Sequence, residues 1–160
     1  MTPPDSLLKV LAEGQVEFIL VGGVAATLHG ASRLTQDLDV VYSRFTVNID
    51  RIVKTLAPHH PYPRGAPPGL PFGWDTETLL NGLNFTLTTD LGDLDLLGEI
   101  TGGGGYEDLI GDSVTIELFG IEYRCLGLRR LIQVKRAAGR PKDLDTVAEL
   151  EAILEERGGS

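Results

Sequence analysis

Two hydrophobic periodicities alternate along this chain and divide it into helices and strands. Apolar positions at helical spacing, or runs of helix-forming composition, predict helices over residues 6–15, 24–30, 48–60, 75–82, 128–139 and 141–157. Runs rich in apolar and β-branched residues predict strands over 16–21, 36–43, 84–89 and 93–100, and a hairpin over 113–127 that turns at Phe119 and Gly120. Residues 61–73 hold five prolines and three glycines. They predict a long surface loop, of a length that often forms a lid or binding loop.

The order of these elements predicts the fold class. Alternating helices and strands come first, two hairpins follow, and two helices end the chain. This order is typical of an α/β (α+β) fold in which helices pack on a mixed, largely antiparallel sheet. The length of 160 residues fits one domain spanning 1–160, with a core at about 16–126 and C-terminal helices at about 127–157.

Composition narrows the functional classes. The net charge of −9 disfavours broad DNA binding, which depends on neutralising phosphates, but leaves room for a local basic pocket. No apolar run reaches the ~18 residues of a membrane span, and the first residues do not resemble a signal peptide. A single cysteine, Cys125, alternates within a strand pattern, which predicts a buried thiol. We therefore expect a cytoplasmic protein without membrane contact.

Two aspartates in the second predicted strand are candidate metal ligands. Asp37 and Asp39 are two residues apart, so their side chains share one face of the strand. Such close carboxylates repel unless a cation neutralises them, and Mg²⁺ prefers oxygen ligands. Asp95, inside a later apolar run, is a candidate third acid, whereas we expect Asp93 to belong to the preceding turn. The alternative is that all of these are solvent-facing positions of exposed strands.

A glycine pair precedes these acids. Gly22 and Gly23 follow an apolar strand and lead into a helical segment, an arrangement that exposes backbone N–H groups to anions and lets phosphates approach the main chain. The pair matches neither a Walker loop nor a GxGxxG fingerprint. Together with the acids it indicates a nucleotide site.

These motifs resemble those of a known family. The glycine pair, "R-x-T-x-DLDVV" and the later "LDLL" are similar to the pattern of the DNA polymerase beta-like nucleotidyltransferase superfamily. The C-terminal stretch "LIQVKRAAGRPKDLDTVAELE" resembles the prokaryotic branch that includes AbiEii-type abortive-infection toxins. The resemblance covers residues from about 16 to 153. It implies a nucleotidyltransferase-like core.

The resemblance also implies roles for the acids. Asp37 and Asp39 would bind two Mg²⁺ ions, for which Mn²⁺ could substitute. Asp95 would be a further metal ligand or the base for the acceptor hydroxyl. In this scheme the hydroxyl attacks the α-phosphorus of a nucleoside triphosphate (NTP) and pyrophosphate leaves.

Further positions carry nucleotide-binding roles by the same resemblance. Gly22 and Gly23 would hold phosphates, although many members have serine where Gly23 stands. Lys135 would reach the triphosphate and Asp143 would orient that lysine or the nucleotide, and Arg33 with Thr35 precedes the acids. The plainer alternatives are a solvated lysine, a first-turn acid favoured by the helix dipole, and an ordinary salt bridge for Arg33. The three histidines lack partners at ligand spacing, so we expect them to be non-catalytic.

Two functions therefore remain open from the sequence. The first is a metal-dependent nucleotidyltransferase, acting on a small molecule, a protein or an RNA end, as a toxin–antitoxin or abortive-infection component. The second is a nucleotide-binding or interaction module of the same fold with little or no catalysis. A cognate antitoxin or a second copy of the chain is the expected protein partner.

Overall fold

Seven strands form one sheet at the centre of the molecule. The computed structural model describes residues 4–32 and 37–158. Its strands are β1 (Phe18–Val21), β2 (Leu38–Tyr42), β3 (Tyr62–Pro63), β4 (Asn84–Thr89), β5 (Gly92–Leu97), β6 (Ser113–Leu118) and β7 (Ile121–Leu126). They are ordered β3-β4-β5-β2-β1-β7-β6. Pairing is parallel between β2 and β5 and between β1 and β7, and antiparallel in the other four pairs.

Helices cover this sheet. They are α1 (Asp5–Glu13), α2 (Gly22–Leu28), α3 (Thr46–Leu56), α4 (Thr76–Asn81), α5 (Tyr106–Leu109), α6 (Leu128–Ala138) and α7 (Pro141–Glu156), with short 3-10 turns at Ala57–His59 and Ile110–Asp112. Their apolar positions at helical spacing are buried, as in α3, where Ile49, Ile52 and Leu56 are fully inaccessible. All four residues of β1 are also buried, so the core lies around the central strands.

The sequence-based fold class is confirmed. The sheet is mixed and largely antiparallel, and both predicted hairpins form, β4–β5 and β6–β7. Gly139 ends α6 in the left-handed conformation (φ 67°), and Asp75 caps α4 by accepting a hydrogen bond from the Thr78 N–H at 2.8 Å. Among the described residues, no helix is long and apolar enough to cross a membrane.

Three details differ from the sequence-based expectation. The proline-rich segment is not wholly irregular, because Tyr62 and Pro63 add a two-residue edge strand to β4. Proline is tolerated there because an edge strand needs hydrogen bonds on one side alone. Asp93 lies within β5, paired with Thr88, rather than in the turn. The short helix α5 had no predicted counterpart.

Candidate active site

Asp39 and Asp95 face each other across the parallel strands β2 and β5. They are direct register partners, so the spacing of neighbouring strands, ~4.8 Å, sets the separation of their backbones. Both side chains are partly buried. Asp37 lies just before β2 and is exposed. The predicted third acid is therefore adjacent to the second, and the first lies at the rim.

The environment of Asp39 favours its protonated form. Burial is the main cause, followed by the charge of Asp95 and a hydrogen bond to it, and then by the charge of Asp37; together they raise the pKa of Asp39 to about 7. Lys135 acts in the opposite direction. A cation beside Asp39 would relieve this unfavourable negative charge.

Gly22 packs directly against this acid pair. Its φ of +69° is a conformation that residues with a side chain rarely adopt, and a Cβ there would lie 2.1 Å from Asp39 Oδ2. Val21, the preceding residue, is the register partner of Asp39 across β1 and β2. The glycine turn and Asp39 are thus in direct contact, whereas the sequence showed only that the glycine pair precedes the acids.

Lys135 and Asp143 meet at the C-terminal helices. The Lys135 side chain on α6 is 11% exposed, and its Nζ lies 3.9 Å from Oδ1 of Asp143 on α7, which is 3% exposed. Burial lowers the pKa of Lys135, while the charges of Asp143 and Asp39 act against that shift. The predicted pairing of these two residues is therefore present in the fold.

Arg140 completes this cluster. Its Nε and Nη2 donate hydrogen bonds to the Asp143 carboxylate at 2.6 and 3.2 Å. Burial of Asp143 acts to raise its pKa, but the hydrogen bonds and charge of Arg140, aided by Lys135, lower it overall. Asp143 thus stays ionised and holds two cationic side chains at one end of the site.

Arg64 was missed by the sequence analysis and reaches the third acid. It follows β3, and its Nη2 donates hydrogen bonds to Asp95 Oδ1 at 2.8 Å and to the Leu87 carbonyl at 2.9 Å. Its Nε lies 3.3 Å from Asp93 Oδ2. A single arginine in a proline-rich loop has no periodic signal that would separate it from a solvated side chain.

All of these groups line one cavity of about 940 Å³. The lining combines acidic side chains with the cationic side chains of Arg64, Lys135, Arg140 and Lys142. Lys142 and the acid Glu99 were also missed by the sequence analysis. Of the site residues predicted from the sequence, those that line the cavity are Gly22, Gly23, Asp37, Asp39, Asp95, Lys135 and Asp143. Arg33 and Thr35 lie outside the described residues.

The donors present suit a magnesium ion accompanied by phosphate. Within residues 4–32 and 37–158, no group of three or more His, Cys, Asp or Glu side chains is arranged to hold a metal. Mg²⁺ is usually bound by one or two carboxylates together with water and substrate phosphates, and the Asp39–Asp95 pair supplies two carboxylates. The excess negative charge that raises the pKa of Asp39 is the feature that a cation would relieve.

His29 and Cys125 lie outside this cavity. The His29 ring Nε2 is 2.7 Å from the Leu126 carbonyl, and burial lowers the pKa of His29. Cys125 is fully buried, and burial raises the pKa of its thiol to about 12. The prediction of a buried thiol is therefore confirmed.

A known structure shares this architecture. A Thermotoga maritima protein described as a "putative nucleotidyltransferase" superposes with a TM-score of 0.57 and 15% sequence identity, over 92% of this chain and 94% of that one. The fold is nucleotidyltransferase-like. No family model and no curated protein sequence matches the chain.

Proposed function

We propose that this protein transfers a nucleoside monophosphate from an NTP to an acceptor hydroxyl in a Mg²⁺-dependent reaction. The observation that carries this proposal is the register pairing of Asp39 with Asp95 in a cavity that Lys135 also lines. Two carboxylates facing a lysine provide a place for a cation and for phosphate charge in one volume. The nucleotidyltransferase-like fold supports the same reaction class.

Each residue has a distinct role in this proposal. When bound, Mg²⁺ would neutralise phosphate charge and orient the reacting oxygens. Asp39 and Asp95 would hold the ion, with Asp37 contributing from the rim, and Asp95 is also the candidate base for the acceptor proton. Gly22 leaves room for the Asp39 carboxylate, and Gly23 next to it has no side chain that would block the approach of a phosphate.

Lys135, which lines the same cavity, would balance the triphosphate charge. Its salt bridge to Asp143 fixes the ammonium group at that position, and Arg140 adds a second positive charge. In the reaction the acceptor oxygen forms a bond to the α-phosphorus. The bond from that phosphorus to the bridging oxygen breaks, and pyrophosphate leaves with the electron pair. The residues mainly position and stabilise charge, which is how proteins accelerate phosphoryl transfers.

The decisive experiment is incubation with labelled NTPs, Mg²⁺ and cell extract. Wild-type protein should label an acceptor, and Asp39→Asn or Asp95→Asn should lower the rate by about 100-fold or more, as expected when a charge-stabilising group is lost. Asp145→Asn, an exposed acid on α7, is the matched control and should retain full activity. Labelling that persists in the Asp39→Asn and Asp95→Asn variants contradicts the proposal.

A nucleotide-binding module without turnover is the second candidate. The contact of Arg64 with Asp95 favours it, because the third acid already has a cationic partner, and Gly23 offers no hydroxyl to phosphate. Calorimetric titration with ATP and Mg²⁺ distinguishes the two. Binding without any labelled product supports the module, whereas labelled product supports the enzyme.

We further propose a biological role as a cytoplasmic toxin–antitoxin or abortive-infection component, with a cognate antitoxin as partner. The support is the resemblance of residues 131–151 to the AbiEii-type branch. Induced expression of the wild-type chain should slow bacterial growth, and expression of Asp39→Asn to the same level should not. Equal growth of the two cultures contradicts this role.

A further inference from the structure

Arg64 occupies a place where a cation bound to the third acid would be expected. Its Nη2 contacts Asp95 Oδ1 at 2.8 Å, and the Arg64 and Asp95 side chains are each 27% exposed. A guanidinium in hydrogen-bond contact with a carboxylate neutralises much of its charge. Asp95 is therefore shared between two neighbours: Arg64 on one side and Asp39 on the other.

The backbone holds Arg64 in this position. The Arg64 N–H donates to the Thr86 carbonyl at 2.9 Å, which continues the β3–β4 pairing by one residue. The following loop folds back on itself, because the Leu70 N–H donates to the Tyr62 hydroxyl at 3.2 Å and the Phe72 ring lies edge-on to the Tyr62 ring. The backbone of Arg64 is thus held at the end of the edge strand β3, from which its side chain reaches the acids.

The hydrogen bonding of the Arg64 guanidinium to the acids is nevertheless incomplete. Nη2 makes both of its hydrogen bonds, but Nε is buried and has no hydrogen-bond partner within the described part of the chain. Its 3.3 Å approach to Asp93 Oδ2 is a charge contact alone. A divalent cation carries twice the charge of the guanidinium, so it can replace Arg64 at this contact.

We infer that Arg64 competes with divalent cations for Asp95 and sets the cation concentration at which the acid cluster fills. The inference deepens the proposed function, because it concerns the cation requirement of that same site. Two cations cannot contact one carboxylate oxygen without repulsion, and a unit charge at ~4 Å is a strong effect in a partly buried site. Removal of the arginine charge should therefore strengthen cation binding.

The test is a titration with Mn²⁺ alone, in which electron paramagnetic resonance measures the free ion at fixed pH and ionic strength. Arg64→Gln should bind Mn²⁺ about tenfold more tightly than wild type, from the loss of one nearby positive charge. Arg129→Gln is the matched control, since Arg129 is exposed and does not line the cavity. It removes the same charge from the chain and should leave Mn²⁺ affinity unchanged.

A double-mutant cycle locates the effect. If the gain passes through Asp95, Arg64→Gln should give no increase in a chain that already carries Asp95→Asn. Should Arg64→Gln fail to fold, Arg64→Met decides, because its unbranched side chain also removes the positive charge from beside Asp95. Tighter Mn²⁺ binding by that variant supports the inference, and equal or weaker binding overturns it.

Other results also overturn the inference. They are unchanged or weaker Mn²⁺ affinity in Arg64→Gln, an equal gain in Arg129→Gln, or no Mn²⁺ binding by either Arg64 variant. The titration contains neither nucleotide nor acceptor, so its outcome is separate from that of the transfer assay. Failure of the proposed function would leave a tenfold gain in Mn²⁺ affinity intact.

Discussion

Position 22 requires glycine for two separate reasons. The backbone there has a positive φ, and the neighbouring Asp39 carboxylate fills the space that a Cβ would need. The first reason applies equally to Gly120, which has a φ of +78° at the β6–β7 turn but no atom within 4 Å of its Cβ position. The two positions therefore separate backbone strain from steric conflict.

We expect Gly22→Ala to lower the free energy of unfolding more than Gly120→Ala does. Left-handed backbone strain alone costs about 1–2 kcal/mol, which sets the expectation for Gly120→Ala. Gly22→Ala also displaces the Asp39 carboxylate, so its free energy of unfolding should fall by about 1–2 kcal/mol more. The same displacement should weaken Mn²⁺ binding. Urea denaturation and Mn²⁺ titration measure these effects. Equal decreases in the free energy of unfolding in both variants would show that the Asp39 side chain moves aside at no energetic cost.

His29 links pH to stability. It is 7% exposed, its ring contacts the Leu126 carbonyl, and Arg157 Nη1 lies 3.3 Å from its Nδ1. Burial lowers the pKa of His29 below its ordinary value of 6.5, with the Arg157 charge acting in the same direction. The unfolded chain therefore binds the proton more readily than the folded chain does. The contribution of His29 to stability is present above pH 6.5 and is lost as the pH falls below it.

His29→Gln should flatten the fall in the free energy of unfolding between pH 7 and pH 5. Glutamine keeps a donor for the Leu126 carbonyl but cannot titrate. Chemical denaturation at several pH values gives the wild-type and variant slopes. A wild-type slope that persists in His29→Gln would assign the acid sensitivity to other groups.

At the scale of elements, the start of α7 is joined to α6 through one carboxylate. Asp143 accepts hydrogen bonds from Arg140 and lies beside Lys135, so it connects the helix start with the last turn of the preceding helix. Further along α7, Glu149 accepts hydrogen bonds from the N–H and the hydroxyl of Ser32. The helix thus contacts both Lys135 of the site and Ser32.

Asp143→Asn should destabilise the protein by about 1–3 kcal/mol. The amide cannot neutralise Lys135 and Arg140, and removing one partner of a buried ion pair is unfavourable, although the exposure of Arg140 reduces the effect. Asp145→Asn, exposed two residues later, should change stability by less than about 0.5 kcal/mol. Thermal unfolding compares the two, and similar losses would show that the Asp143 pairing has no special role.

The sequence was most informative where a local pattern and a turn signal agreed. The β6–β7 hairpin and the α6 stop at Gly139 belong to this class, because alternation and a left-handed residue each determine local geometry. The edge strand β3 could not be predicted, since Tyr62 and Pro63 pair with β4 only through long-range contact. Asp93 was placed in a turn because Gly92 suggested a longer connection, whereas the connection from β4 consists of Asp90 and Leu91 and β5 begins at Gly92.

The candidate site was predictable in part for the same reason. Strand alternation placed Asp37 and Asp39 on one face, and a second apolar run indicated Asp95, but only the register of β2 and β5 brings Asp39 and Asp95 together. Arg64 and Arg140 depend on tertiary geometry. Their side chains reach the site from a loop and a helix start, where charged residues are common and carry no spacing signal.

At the scale of the whole molecule, the net charge is −9, yet the cavity gathers four cationic side chains beside its acids. Lys135, Arg140, Lys142 and Arg64 all line this one volume. A strongly acidic surface repels polyanions, whereas a small basic wall accepts one compact anion. The charge distribution thus favours a nucleotide over a nucleic-acid duplex.

Mg²⁺ and ATP together should raise the melting temperature more than either does alone. A ligand at 100 times its dissociation constant stabilises by about 2.7 kcal/mol, which for a chain of this size corresponds to a shift of about 5 °C or more. The shift should be absent in Asp39→Asn at the same concentrations. Differential scanning fluorimetry measures it, and an equal shift in that variant would place the nucleotide elsewhere.

The parallel pairing of β1 with β7 has a consequence for how the chain acquires this cavity during synthesis. Leu20 of β1 pairs with Cys125 of β7, which is synthesised more than a hundred residues later. The pairing of β1 with β7 cannot form until then. At ~5–20 residues per second a ribosome needs several seconds to supply that partner. The strands that carry the acids, β2 and β5, are both made before β7, and the helices that carry the cations follow it. The ribosome therefore supplies Asp39, Arg64 and Asp95 first, and Lys135, Arg140 and Lys142 last.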